Sequence, residues 1–303
     1  MNKFICLGAV FWESLFQVDH MPGRGTKLLP RDARQLASGM APSAALTIAR
    51  LGGDVALWTR IGDDPAGHGI RRDLQATGLD LNGLQKLSGL PSAFSSVLVD
   101  AQGERLVVPS FDPRLYQGAD GLPLHAVRQA SAVLADMRWP DGARALFTQA
   151  RQDGVPAALD ADVAPPADLR ALMPLADHVL LSEDALRLLQ PDTPPALALT
   201  TLAGELPTAR VLGVTLGAQG ALVLENGMGA PLHVPGFPVT VCDTLNAGDV
   251  WHGAYAWALA QGLPLAERAR LANAAAALKC QRPWGRLGIP NLEEVQAFMQ
   301  GAN

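Results

Sequence analysis

Short apolar runs alternate with longer segments whose apolar residues recur at helical spacing along most of the chain. Residues 4–10 and 55–58 are compact apolar runs, whereas segments 41–51 and 63–77 carry the helical pattern. The second helical segment ends at Gly78, and glycine commonly terminates helices. Further apolar runs lie at residues 132–135, 157–159, 178–181, 211–215 and 221–224, mostly separated by helix-length segments such as 142–153 and 183–189. This alternation predicts an α/β fold with a mainly parallel sheet covered by helices on both faces.

Two segments interrupt this alternation and are rich in strand signals. Residues 94–99 and 105–108 flank the turn-forming sequence Asp100-Ala101-Gln102-Gly103, a pattern typical of a β-hairpin. A polar segment containing Gly and Pro follows the first apolar run and precedes the first helical segment. We therefore expect a small second sheet outside the main layers. It is predicted to form from two excursions, at about residues 11–36 and 93–110.

The composition is that of a globular protein whose ligand is small. Apolar residues make up 49% of the 303 residues and charged residues 17%, which argues against a disordered chain. The net charge is −5, and because no long run of Lys or Arg is present we expect no nucleic-acid partner. No apolar stretch approaches the roughly 20 residues needed to cross a bilayer, so no membrane span is expected. No repeat or linker divides the chain, which predicts one domain over residues 1–303.

The three cysteines, Cys6, Cys242 and Cys280, are scattered along the chain and show no Cys-x-x-Cys spacing. An odd, scattered set of this kind is typical of thiols in a reducing compartment, most of them buried in the core. We therefore expect a cytoplasmic protein.

The segment at residues 239–254 carries the pattern that points most directly to chemistry. Its β-branched start at residues 239–241 predicts a strand, which a polar turn joins to an apolar helix. Gly248 and Asp249 then lie in the first helical turn, where unpaired N–H groups and the helix dipole favour a bound phosphate. There Asp249 can accept a proton from an attacking hydroxyl while the amides hold a phosphoryl group. The simpler alternative is that Asp243 or Asp249 only caps the helix.

Residues 243–249, Asp-Thr-Leu-Asn-Ala-Gly-Asp, resemble the signature Asp-Thr-x-Gly-Ala-Gly-Asp of the ribokinase (PfkB) family of carbohydrate kinases. The resemblance implies that Asp249 is the catalytic base next to the substrate hydroxyl, and that the amides of Asn246, Ala247 and Gly248 form an anion hole. Asn246 stands where the family has its first glycine. Because Asn tolerates left-handed backbone geometry better than other non-glycine residues, we expect the loop to keep its shape.

Other segments extend the resemblance over nearly the whole chain. Residues 60–67 resemble the family's Gly-Asp-Asp-x-x-Gly block, and residues 214–220 resemble its Thr-x-Gly-x-x-Gly loop. Residues 272–277 and 288–290 resemble the segments that form and close the adenine pocket. The nucleotide-binding residues implied by this resemblance are Thr215, Gly217, Gly220, Asn273 and Ala277.

The resemblance also implies the architecture and the ligands. It implies a three-layer α/β/α sandwich with a small β-sheet lid that closes over the sugar and excludes water. The implied ligands are a sugar, ATP and Mg²⁺, with a monovalent cation as a further candidate cofactor. Family lids often pair across a dimer, so a homodimer through the lid is expected.

Besides Asn246, three other parts of the chain depart from the family pattern. Glu13 stands at the sugar-binding Asp, and Gly39 belongs to the sequence Ser38-Gly39-Met40 where the family has a Gly-Gly pair. The family's Asn-x-x-Glu metal-relay motif reads Ser182-Glu183-Asp184-Ala185, which leaves Glu183 as the candidate metal ligand.

Within the family, residues 135–143 resemble the Ala-Asp-x-Arg-Trp-x-Asp-Gly-Ala block of kinases that act on 6-deoxy-6-sulfofructose. By this resemblance Lys27 and Arg138 fall at sulfonate-binding positions, and a tetrahedral anion does require fixed cationic donors. Pro109 stands where those enzymes have an Asn. The alternative for Lys27 is an ordinary solvated lysine of the lid.

Other chemistries lack their motifs in this chain. The sequence contains no His-x-x-x-His pair, no Gly-x-Ser-x-Gly elbow and no Gly-x-x-x-x-Gly-Lys-[Ser/Thr] loop. Three hypotheses remain: a kinase of a ketose or related sugar, including the anionic sulfofructose; a nucleoside kinase of the same superfamily; and a non-catalytic sugar-binding regulator. An aromatic-lined pocket beside the lid would favour the second hypothesis.

Overall fold

The chain forms one large sheet, one small sheet and helices, and the computed structural model describes residues 2–301. The strands are β1 (Lys3–Leu7), β2 (Phe11–Gln17), β3 (Asp32–Ser38), β4 (Asp54–Gly62), β5 (Leu84–Leu87), β6 (Phe94–Val99), β7 (Arg105–Ser110), β8 (Ala132–Asp136), β9 (Ala157–Ala161), β10 (His178–Ser182), β11 (Val211–Thr215), β12 (Ala221–Glu225) and β13 (Leu232–Val234). The α-helices are α1 (Met40–Arg50), α2 (Pro65–Gln75), α3 (Pro140–Asp153), α4 (Pro166–Leu172), α5 (Glu183–Leu189), α6 (Pro195–Glu205), α7 (Ala247–Ala260), α8 (Leu265–Cys280) and α9 (Leu292–Gly301). Among residues 2–301, no helix combines the length and the apolar character that a membrane span requires.

The large sheet has the strand order β13-β12-β11-β10-β9-β8-β1-β4-β5 and is parallel from β11 to β5. Its strands are buried on both faces, as β1 illustrates. Phe4 and Cys6 belong to the core beneath α1, α7 and α8, whereas Ile5 and Leu7 belong to the core beneath α3 to α6. Successive side chains of a strand point to opposite faces, so an unbroken apolar run fills two cores at once.

The small sheet is the predicted lid, with strand order β3-β2-β6-β7. The pairs β2–β3 and β6–β7 are antiparallel, whereas β2 and β6 run parallel to each other. The hairpin predicted around Gly103 is present, and Gly103 adopts a positive φ of 80° in its turn. Leu15, Leu36 and Val97 form a small core on the inner face of this sheet.

One predicted strand is wrong. Residues 239–241 are irregular, and the chain has no regular structure between the end of β13 and α7 apart from turns. The physical reason is the two prolines of the preceding segment, Pro235 and Pro238, which cannot donate ladder hydrogen bonds. Instead of pairing with the sheet, this segment borders the cleft described next.

Candidate active site

A cleft of about 1060 Å³ lies between the large sheet and the lid. Its floor comes from the carboxyl ends of parallel strands, where Asp160, Ser182 and Thr215 lie, and from the start of α7. The lid contributes Glu13 and Arg105 to the opposite wall. Ligands of open α/β sheets bind at this edge, because the loops that follow the strands converge there.

The turn before α7 has the left-handed geometry that the sequence predicts for it. Asn246 adopts φ 64° and is the residue at which the helix begins, without a side-chain capping bond. The Ala247 N–H donates to the Thr244 carbonyl at 3.2 Å, so one of the three amides expected to bind an anion is engaged. The Gly248 N–H lies in the first turn, where a helix leaves N–H groups without intrahelical partners, and Gly248 is exposed to the cleft.

Asp249 lies in the first turn of α7 and lines the cleft. Burial raises the pKa of its carboxyl to about 6, and the nearby charge of Asp162 acts in the same direction. A hydrogen bond from Asn246 Nδ2, which lies 2.8 Å from Asp249 Oδ2, lowers the pKa. A pKa near neutrality suits a general base, because the group is then both deprotonated and a useful proton acceptor.

Asp243 shapes the loop. Its Oδ1 accepts from the Leu245 N–H at 2.7 Å and its Oδ2 accepts from the Gly285 N–H at 2.8 Å. Lys279 Nζ donates to the Asp243 carbonyl at 2.7 Å and lies 3.3 Å from Oδ1, and both side chains are buried. Asp243 therefore fixes the turn without capping α7, whose start has no side-chain capping bond, and Asp249 faces the cleft.

The structure brings further acidic groups to the cleft that the sequence analysis missed. Asp160 and His252 are each 2% exposed, and Asp160 Oδ2 lies 3.2 Å from His252 Nδ1. Burial and the charge of Asp249 raise the pKa of Asp160, whereas burial lowers the pKa of His252 to about 4. The pair is thus favoured in its uncharged form. The sequence did contain a signal for Asp160. It follows an apolar run, and the carboxyl ends of parallel strands meet at one edge of a sheet.

All five residues predicted to bind the nucleotide line the cleft. Gly220 has φ 93°, and a Cβ there would lie 2.2 Å from the Val234 carbonyl oxygen, so only glycine fits this turn. The Asn273 side chain is occupied within the protein, because its Oδ1 accepts from Trp251 Nε1 at 2.7 Å and its Nδ2 donates to two backbone carbonyls. Through these hydrogen bonds, Asn273 stabilises the wall of the cleft.

Of the residues predicted to bind the sugar, Glu13, Gly39, Arg138 and Asp249 line the cleft, whereas Lys27 does not. Burial raises the pKa of Glu13 to about 7, and the hydroxyl of Ser95, 3.3 Å from Glu13 Oε2, acts against that shift. Arg138 is engaged within the protein through the Val163 carbonyl at 2.9 Å and Asp162 Oδ2 at 3.4 Å. Lys27 is exposed on the segment between β2 and β3.

Glu183, the candidate metal ligand, lines the cleft beside Asp184. Its Oε1 lies 2.7 Å from Arg187 Nη2, so the carboxylate already has a cationic partner. Within residues 2–301, no group of three or more His, Cys, Asp or Glu side chains is arranged to hold a metal ion. The role of Glu183 stays a prediction.

Comparison with known proteins gives a consistent assignment. The model of the family described as pfkB family carbohydrate kinase matches residues 3–292. The ATP-dependent ribose-1-phosphate kinase of Halopiger xanaduensis is 28% identical over 300 residues, which cover 99% of this chain and 98% of the relative. The fructokinase of Escherichia coli is 32% identical over 253 residues, which cover 77% and 78%. A crystal structure from Agrobacterium tumefaciens, provisionally described as a ribokinase, has a TM-score of 0.96 and 38% identity, and covers 99% of this chain and 98% of that one.

Proposed function

The chain belongs to the pfkB family of carbohydrate kinases, and we propose that it transfers the γ-phosphate of ATP to a primary hydroxyl of a sugar. The family and the fold predicted from the sequence motifs are thereby confirmed. The observation that carries the proposed reaction is Asp249, a carboxylate of pKa about 6 that faces the cleft from the first turn of α7. The relatives named as a ribose-1-phosphate kinase and a fructokinase support the same chemistry.

In the proposed mechanism, Asp249 removes the proton from the sugar hydroxyl as its oxygen forms a bond to the γ-phosphorus. The bond between that phosphorus and the bridging oxygen breaks, and its electron pair leaves with ADP. The N–H of Gly248, at the positive end of the α7 dipole, holds the charge of the transferred group. The lid excludes water, which otherwise competes as the acceptor.

Mg²⁺ fits this site as an ion that arrives with the nucleotide. The cleft offers the carboxylates of Glu183, Asp184 and Asp162, but within residues 2–301 no cluster could enclose a metal ion without other ligands. Mg²⁺ usually retains several waters and binds through one or two carboxylates plus substrate phosphates, which suits such a wall. When bound, it neutralises phosphate charge.

A neutral pentose or ketohexose is the acceptor that we propose first, following the names ribokinase and fructokinase among the similar proteins. The narrower candidate, 6-deoxy-6-sulfofructose, is supported by the presence of Arg138 in the cleft. It is not favoured by charge, because Arg138 already contacts Asp162 and Lys27 lies outside the cleft.

A nucleoside kinase is the second candidate function, and one observation favours it. Phe11 and Phe111 line the cleft beside the lid, with ring centroids 6.1 Å apart in an edge-to-face arrangement. Aromatic faces of this kind can pack against a planar base.

The test is an assay of ADP release against ribose, fructose, ribose 1-phosphate, 6-deoxy-6-sulfofructose and adenosine. We expect turnover with at least one sugar, and a fall in kcat of about 10³-fold or more in Asp249→Asn, because the amide cannot accept the proton. The affinity for ATP, measured by calorimetry, should change little. Turnover with adenosine alone would replace the sugar by a nucleoside, and full activity of Asp249→Asn would contradict the assigned base.

We also propose that two copies of the chain pair through the outer face of the lid. The support is an exposed apolar surface on β6 and β7, where Phe94, Leu106 and Val108 are 52%, 45% and 56% exposed. Monomeric proteins seldom leave a contiguous apolar sheet face in water, and β7 is also a free sheet edge.

A further inference from the structure

Arg105, the first residue of β7, connects the lid to the loop that precedes α7. Its Nη1 donates to Thr244 Oγ1 at 2.8 Å, and the same hydroxyl donates to the Gly103 carbonyl at 3.1 Å. The hydroxyl thus serves as acceptor for the guanidinium and as donor to the hairpin turn. These contacts hold the guanidinium beside the loop that leads to Asn246 and Asp249.

Arg105 differs from the other charged residues of the cleft in its partners. The lining residues include six carboxylates, Glu13, Asp160, Asp162, Glu183, Asp184 and Asp249. The lining cations among the described residues are Arg105 and Arg138, and Arg138 contacts Asp162. Within that part of the chain, no carboxylate lies within ion-pair distance of Arg105.

Lys279 cannot take the place of Arg105. Its side chain is fully buried and is bound to Asp243 through the carbonyl and Oδ1. Burial lowers the pKa of Lys279, although the charge of Asp243 opposes the shift. A group held in this way stabilises the loop but does not extend into the cleft.

A structural role alone does not explain why this position carries an arginine. The contact with Thr244 uses one N–H of Nη1, whereas the guanidinium has further N–H groups arranged as a planar fork. Arg105 is exposed and lines the cleft, so these N–H groups are accessible to a ligand there. Planar forks of this kind match phosphate oxygens and bind them with two parallel hydrogen bonds.

We propose that Arg105 contacts the γ-phosphoryl group of ATP bound in the cleft and stabilises its charge during transfer. The inference rests on the proposed function. Because Arg105 belongs to the lid, its charge is present at the phosphate when the lid has the position seen here, in which Arg105 is bonded to Thr244. In the reaction, the acceptor oxygen loses its proton to Asp249 and bonds to the γ-phosphorus, the bond to the bridging oxygen breaks, and Arg105 balances negative charge without exchanging a proton.

The first test measures nucleotide binding and needs no sugar. Calorimetry with Mg²⁺ present compares ADP with adenylyl imidodiphosphate, a non-hydrolysable ATP analogue, in the unaltered chain, in Arg105→Gln and in Arg31→Gln. Arg31 is a matched control, because it precedes β3 of the same lid, pairs with Asp19 and does not line the cleft. We expect Arg105→Gln to weaken binding of the analogue by about tenfold or more, as for loss of a charged hydrogen bond, and to leave ADP binding within about twofold. Arg31→Gln should bind both as the unaltered chain does.

The second test measures turnover with the sugar that the assay of ADP release identifies. Arg105→Gln should lower kcat by about 10²-fold or more, and added guanidinium should restore part of the activity of Arg105→Ala. An unchanged preference for the analogue over ADP in Arg105→Gln would overturn the inference whatever its turnover. If Arg105→Gln loses that preference but the unaltered chain phosphorylates no sugar, the proposed function is contradicted while the contact between Arg105 and the γ-phosphate is retained. Thermal unfolding at the same midpoint in all four chains establishes that the three variants are folded.

Discussion

At the scale of single residues, Asn246 replaces a glycine of the family signature, and its side chain contacts the proposed base. Its φ of 64° is left-handed backbone geometry, which glycine adopts most readily. The Asn246 side chain donates to Asp249, while its Oδ1 is buried and lacks a partner within the described residues. A Cβ at Gly285 would lie 2.7 Å from this Oδ1, so a glycine at 285 provides the space that Asn246 occupies. The substitution therefore acts on the carboxylate of Asp249 rather than on the fold of the loop.

Asn246→Gly should shift the pH dependence of catalysis. The pKa of Asp249 is about 6, and the hydrogen bond from Asn246 lowers it. Because a base acts in its deprotonated form, kcat/KM should fall below about pH 6 in the unaltered chain, and removal of the bond should move this limb to higher pH. Asn246→Asp should move it further, since a second negative charge also raises the pKa. The measurement is kcat/KM from about pH 5 to pH 9. A limb that stays in place in both variants would show that Asn246 does not tune the base.

At the scale of elements, the two faces of the lid have different roles. The inner face carries Glu13 and Arg105 toward the cleft. On the outer face, strand register aligns Ala33 with Phe16, Phe16 with Leu98, and Leu98 with Leu106. This apolar row crosses the whole sheet and continues toward its free edge at β7. An apolar row on the surface of a small sheet gains stability when a second copy covers it.

Charges placed on this outer face should prevent pairing of two copies. Leu106→Lys/Val108→Lys should convert the proposed dimer to a monomer, because each ammonium would otherwise be buried without a partner. The control is Leu197→Lys, since Leu197 on α6 is 58% exposed and lies away from the lid. Light scattering after size-exclusion chromatography gives the mass. A monomeric unaltered chain, or a dimer that survives the double substitution, would contradict pairing through the lid.

The elements themselves were largely predictable, because each depends on a local pattern. The helix α5 matches the predicted range 183–189, and the hairpin of β6 and β7 was recognised from its turn. The strand predicted from the β-branched residues 239–241 is wrong. A strand also needs a neighbouring strand to pair with, and the nearby prolines cannot donate the hydrogen bonds of a sheet.

The family resemblance predicted cleft residues spread along the chain, such as Glu13, Arg138 and Thr215, whereas local pattern alone predicted only the loop before α7. The loop from Asp243 to Asp249 is one motif, so its position at a helix start could be inferred locally. Arg105 meets Thr244 across 139 positions, and Asp160 meets His252 through the packing of α7 on β9. Such contacts depend on sheet order and register, which no local pattern specifies.

At the scale of the whole molecule, buried acidic side chains lie together at the carboxyl ends of the parallel strands. Asp136 ends β8, Asp160 lies in β9, and Asp249 lies above them in α7. Asp136 is 1% exposed, accepts from the N–H groups of Arg138 at 2.8 Å and of Ala41 at 3.2 Å, and has a pKa that burial raises to about 7. The charge of Asp249 raises the pKa of both Asp136 and Asp160, and the charge of Asp136 also raises the pKa of Asp160. The arrangement that forms the proposed site therefore makes folding depend on pH.

The contribution of Asp136 to the free energy of unfolding should decrease as the pH rises from about 4 to about 7. An acid whose pKa is raised by folding binds its proton more tightly in the folded state, so its contribution is complete below the unfolded pKa and is lost as the pH rises through the folded pKa. For Asp136, with a folded pKa of about 7, the loss between about pH 5.5 and pH 8 is about 2 kcal/mol. Asp136→Asn removes the titrating group and should flatten the pH dependence by about that amount, as measured by urea unfolding. The control Asp153→Asn replaces an exposed carboxylate at the end of α3 and should keep the original slope. Equal slopes in Asp136→Asn and the unaltered chain would show that Asp136 is ionised throughout, and that its two N–H donors outweigh its burial.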